Sequence, residues 1–72
     1  MSKSRETFGY RLRVARRSAG LTLEQVANRS GVSKQAISLY EADDREPRAG
    51  QIEKLAKACR VTVAHLFGEV LP

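Results

Sequence analysis

Lys34, Gln35 and Ser38 bring an ammonium, a carboxamide and a hydroxyl to one side of a short segment whose other side, Ala36, Ile37 and Tyr40, is largely apolar. Leu39 stands at the edge between the two sides. Such a set suits hydrogen-bonded recognition rather than bond making. A lysine can donate to guanine O6 and N7, a glutamine can make two bonds to adenine, a serine can bond either, and a leucine can touch a thymine methyl. The same residues are ordinary on a solvated helix face, so their types alone leave both alternatives open.

Candidates for covalent or metal chemistry are weaker. His65 is the only histidine, and the single cysteine, Cys59, lies six residues before it, a poor spacing for sharing one helix face. Zinc takes about four ligands, and no such cluster occurs. There is no nucleophile–base pair and no glycine-rich phosphate loop. Cys59 is expected in the core and His65 on the surface. No catalytic residue, metal, cofactor or small-molecule ligand is expected, and the chain does not read as an enzyme.

Seventy-two residues make one domain, taken as 1–72, with a small core. No apolar run exceeds two residues, which argues against a transmembrane helix or a secretory signal and hence against a membrane partner. One cysteine cannot close a disulfide within the chain, which fits a reducing cytoplasm. The chain carries 13 Lys and Arg against 8 Asp and Glu, a formal charge of +5. Residues 42–72 are balanced, so the excess lies within residues 1–41. A one-sided basic surface suits a polyanion, most often nucleic acid.

The elements that would position these residues are helices, because apolar residues recur at three- and four-residue spacing. Phe8, Leu12, Ala15 and Ala19 form a stripe on a helix from about Ser4 to Ser18, ended by Gly20. Thr22 and Gln25 make a capping box for a second helix, Leu23 to Ser30. Gly31 closes it. Ser33 caps a third helix through Glu41, and residues 42–47 form a polar loop. A fourth helix, about Arg48 to Cys59, places Ala49, Ile52, Leu55, Ala56 and Cys59 on one face. Thr62 caps a fifth helix through Phe67, with residues 68–72 as a tail. No strand is expected, and the fold class is all-α with five helices.

The second and third helices are separated only by Gly31, Val32 and Ser33, so they must cross steeply. Ala27 is small where they approach, and Gly31 can adopt the left-handed backbone of a tight turn. Val32 buries from the turn, while Ile37, Tyr40 and Val26 supply the inner face. Residues 22–41 thus have the pattern of a helix-turn-helix.

This stretch resembles the helix-turn-helix of the Xre family, the lambda-type phage repressors and Cro proteins. The likeness rests on Phe8-Gly9, Leu12 and Arg16, on Gly20-Leu21, and on the block Val26 to Ser33. Ile37-Ser38, Glu41, Pro47 and the stretch Ile52 to Leu66 extend it, so roughly residues 7–67 are covered. Two departures stand out: Leu23 replaces the family's usual Gln, and Arg60 replaces the glycine that ends the fourth helix.

The resemblance implies a compact lambda repressor-like fold that binds double-stranded DNA and regulates transcription, with the helix of residues 33–41 in the major groove. Lys34, Gln35, Ser38 and Leu39 would then face bases. Thr22 and Ser33 at helix starts, with Arg45 and Arg48 around the loop, would approach phosphates. Arg11, Arg13 and Arg17 are either a solvated face or further phosphate contacts. Arg16 and Glu41 match a pair that in the family forms a partly buried ion pair. A homodimer on a near-palindromic operator is expected, with Val63, Phe67, Val70 and Leu71 as dimerisation residues. The alternative is an antitoxin-type module whose main partner is a toxin.

Overall fold

The computed structural model describes residues 7–68 as five helices: α1 (Phe8–Ser18), α2 (Leu23–Ser30), α3 (Lys34–Glu41), α4 (Ala49–Ala58) and α5 (Val63–Leu66). Four of the five starts have a hydroxyl cap, and α4, which follows Arg48, does not. The hydroxyls of Thr7, Thr22, Ser33 and Thr62 accept hydrogen bonds from the N–H groups of Tyr10, Gln25, Ala36 and His65. Thr22 and Gln25 close the expected capping box, since the Thr22 N–H donates back to Gln25 Oε1 at 2.8 Å. The Thr7 cap corrects one expectation. The first helix begins at Phe8 rather than near Ser4, and residues 4–6 lie outside the described residues. At α4, Arg48 and Cys59 are flanking residues rather than members of the helix.

Three helices end in the same reciprocal turn. Gly20, Asp43 and Arg60 each donate to the carbonyl three residues back, at Arg17, Tyr40 and Lys57. The residues that follow, Leu21, Asp44 and Val61, donate to Arg16, Leu39 and Ala56. This is the Schellman arrangement, which needs a left-handed residue at its centre. Asp43 and Arg60 meet the need without being glycine, at φ 61° and 62°. A side chain there carries strain of about 1–2 kcal/mol.

The core takes one fully buried aliphatic side chain from every helix: Leu12, Val26, Ile37, Leu55 and Leu66. Each such burial contributes about 1.5–3 kcal/mol. Cys59 joins them at 2 % exposure, and burial pushes its thiol pKa up, reinforced by the nearby Glu41 carboxylate. Ala19 and Ala49, expected on inner faces, are instead exposed. Both sit at helix ends, where the buried stripe has turned away from the core.

α1 and α3 come closer than side chains would allow. A methyl group at Gly9 would lie 2.5 Å from the Tyr40 carbonyl oxygen, 2.6 Å from that of Glu41 and 2.7 Å from Asp43 Oδ1. The Gly9 N–H uses this proximity to donate to Asp43 Oδ1 at 3.0 Å. Gly9→Ala is therefore expected to destabilise the fold by about 1–3 kcal/mol by forcing α1 off the end of α3. Urea unfolding checks this, and an unchanged midpoint would contradict it.

Candidate nucleic-acid interface

Three polar connections fix how α3 is presented. The Arg16 guanidinium on α1 pairs with the Glu41 carboxylate at the end of α3, with Nε to Oε2 at 2.7 Å and Nη2 to Oε1 at 3.1 Å. Its remaining nitrogen, Nη1, donates to the Leu21 carbonyl at 3.0 Å. The two side chains are 12 % and 8 % exposed, so the contact is only partly screened by water. The hydrogen bond to Glu41 moves the Arg16 pKa above its ordinary value, opposed by burial and assisted by Glu41's charge. On the other side of α3, buried Tyr40 donates its phenol to Gln51 Oε1 of α4 at 2.7 Å. The third connection is the Gly9–Asp43 bond just described.

With α3 held from behind, its outer face is left to solvent. Lys34, Gln35 and Ser38 are exposed, while Leu39 is half-buried and offers an apolar edge. Ile37 and Tyr40 point inward at 0 % and 4 % exposure, and Ala36 is half-buried beside them. The geometry puts the ammonium, carboxamide and hydroxyl on the first two turns of one short helix, away from the core.

The candidate phosphate-binding residues divide into two groups. Thr22 and Ser33 stand at the starts of α2 and α3, and their oxygens already accept from their own helices. Each hydroxyl keeps its proton to donate outward, and the first N–H groups of each helix lack intrahelical partners. Arg45 and Arg48 are exposed on the connection between α3 and α4. That loop's acids, Asp43, Asp44 and Glu46, are also exposed, and Asp43 Oδ1 accepts the Gly9 N–H at the start of α1.

Two of the four proposed dimer residues can be placed. Val63 is 37 % exposed and Phe67 50 % exposed, and Val70 and Leu71 lie outside the described residues. The Phe67 ring packs on Phe8 with centroids 5.5 Å apart. Those rings line one side of a groove of about 420 Å³ that also includes Ile52, Pro47 and Arg45. An apolar edge therefore runs directly into the charged loop, whose Asp43, Arg45 and Glu46 also line the groove. His65 is exposed, as its place in the sequence suggests.

Sequence reasoning missed Asp43 and Gln51. Asp43 reads as a loop acid, and its bond spans 34 residues of chain to Gly9. A usable signal existed for Gln51: an amide one turn before Leu55, on the buried stripe of α4, needs a polar partner.

The family described as "Helix-turn-helix domain" matches residues 7–66. Among curated proteins, the chain is 42% identical over 57 residues to the HTH-type transcriptional repressor RghR of Bacillus subtilis, covering 78% of this chain and 42% of that protein. It is 36% identical over 62 residues to the cryptic phage CTXphi transcriptional repressor RstR of Vibrio cholerae, covering 86% of this chain and 56% of RstR. The chain thus spans about half the length of the curated relatives it matches. In structure it is similar to the restriction-modification controller protein C.AhdI from Aeromonas hydrophila, with a TM-score of 0.80 and 35% identity, covering 83% of this chain and 91% of that one.

Proposed function

The chain belongs to the helix-turn-helix domain family, and from that premise we propose that it is a sequence-specific transcriptional regulator whose α3 enters the major groove of operator DNA. The observation that carries this is the exposed trio Lys34, Gln35 and Ser38 on a helix fastened to α1 and α4 from behind. Lys34 and Gln35 fall in the first turn of α3, the part that goes deepest in this docking geometry. Thr22, Ser33, Arg45 and Arg48 take backbone phosphates and set the register. Arg16 positions α3 through Glu41 and has phosphate contact as a secondary role. The cytoplasm is where such a protein meets its operator.

The functional unit is a homodimer on a near-palindromic site. One α3 reads only a few base pairs, and two-fold pairing puts two such helices about 34 Å apart in successive major grooves. The surface favouring this is Val63 and Phe67, both partly exposed, with Phe67 on the groove that also holds Arg45. Val70 and Leu71 extend the same apolar series in sequence.

Two experiments test these assignments. Gln35→Ala is expected to weaken the preferred duplex by about 1–3 kcal/mol, with little effect on scrambled DNA and a nearly unchanged log–log salt slope. Arg45→Ala is expected to weaken both duplexes and flatten the salt dependence. Titrations of both variants across a salt series provide the check, and equal losses on both duplexes for Gln35→Ala would contradict the base-reading role. For assembly, sedimentation should give two chains per palindromic site, and Phe67→Ser should lower operator affinity at least about tenfold while leaving α3 folded. One chain per site at saturation would overturn the dimer.

A further inference from the structure

Behind α3, the C-terminal ends of α2 and α4 border a groove of about 580 Å³, continued by a second of about 330 Å³. No residue of α3 lines either one. Arg29 lines both, Arg60 stands on the larger, and Lys54 and Lys57 stand on the smaller. All four cations are exposed, and the described residues lining the two grooves include no carboxylate. Among the described residues, none of the four makes an ion pair. The larger groove is not simply polar: Val14, itself 38 % exposed, lies in it with Ala15 and Val61.

The backbone adds an independent sign. Arg60 holds φ 62° in a turn that glycine would occupy without strain. A side chain kept in a strained conformation is a mark of function when the chain could have avoided it. Here the retained side chain sets a cation on the rim of the groove.

We propose that this face docks an acidic peptide segment of a partner protein, with carboxylates against Arg29, Lys54, Lys57 and Arg60 and an apolar side chain on Val14 and Val61. Charge complementarity selects an acidic occupant. The concave shape and apolar floor select a peptide over a duplex, whose backbone presents phosphates on a convex surface. The proposal is independent of the DNA-binding assignment, because it uses a different face and no α3 residue.

The test follows amide signals of the isotopically labelled chain as a short synthetic peptide of Glu and Leu is added. Signals of Arg29 and of residues 54–61 should move, and Arg29→Glu with Lys57→Glu should weaken binding at least about tenfold. Replacing either the Leu residues by Ser or the Glu residues by Gln should cost at least about as much. Lys34→Ala should leave peptide affinity unchanged. Arg60→Gly relieves the turn, so it should raise the melting temperature while weakening the peptide. The proposal fails if the Leu-free peptide binds equally well, if the shifts centre on residues 34–39, or if Arg60→Gly leaves affinity intact. It also fails if the Arg29 and Lys57 variants weaken a random duplex as much as the peptide.

Discussion

A guanidinium withdrawn from water must find its hydrogen-bond partners inside the protein, and the position of α3 follows from how Arg16 meets that demand. Its fork takes both oxygens of Glu41, and its third nitrogen takes the carbonyl of Leu21. One side chain thereby ties together α1, the turn into α2 and the far end of α3. The Arg16 carbonyl also accepts the Leu21 N–H in the turn that ends α1. Backbone and side chain of a single residue thus clamp Leu21, whose own side chain is buried. Planar, bidentate geometry of this kind is specific to arginine, so lysine is no substitute here.

With its C-terminal end fixed, α3 needs little else to present a rigid outer face. Ile37 supplies the apolar anchor, Tyr40 reaches Gln51 on the opposite helix, and the Asp43 carboxylate holds the start of α1. The exposed trio Lys34, Gln35 and Ser38 does none of this work, which leaves it available for recognition at little cost to the fold. Affinity gained through such a face is not spent on ordering it. The same arrangement separates the two surfaces of the molecule. The charged loop that carries Arg45 and Arg48, with its apolar neighbour Phe67, lies on the α3–α4 side, whereas the cationic grooves of α2 and α4 have other lining residues.

Most of this was legible in the residues because most of it is local. The Thr22–Gln25 box and the hydroxyls of Ser33 and Thr62 act within one helical turn, and they set helix starts where their spacing says they should. Gly31 is left-handed where it closes α2, a conformation that glycine takes without steric cost. Arg60 was foreseeable as a strained residue only through the family's glycine at that place. Asp43 carried no comparable sign. Its left-handed backbone belongs to the local turn that ends α3, but its bond to Gly9 depends on how α1 lies across α3, a long-range fact that neither sequence window contains. Ala19 and Ala49 show the converse error: spacing alone extends an apolar stripe to the ends of its own helix, where both residues are exposed.

The claim that Arg16 and Glu41 act as one unit in holding α3 is tested most directly by a double-mutant cycle, measured by urea unfolding. Arg16→Ala and Glu41→Ala should each cost on the order of 3 kcal/mol, because each leaves a partly buried charge without its partner. The double variant should then be less destabilised than the sum of the two, by at least about 1 kcal/mol. If the losses add to within about 0.5 kcal/mol, the two residues do not interact and α3 is held by other means.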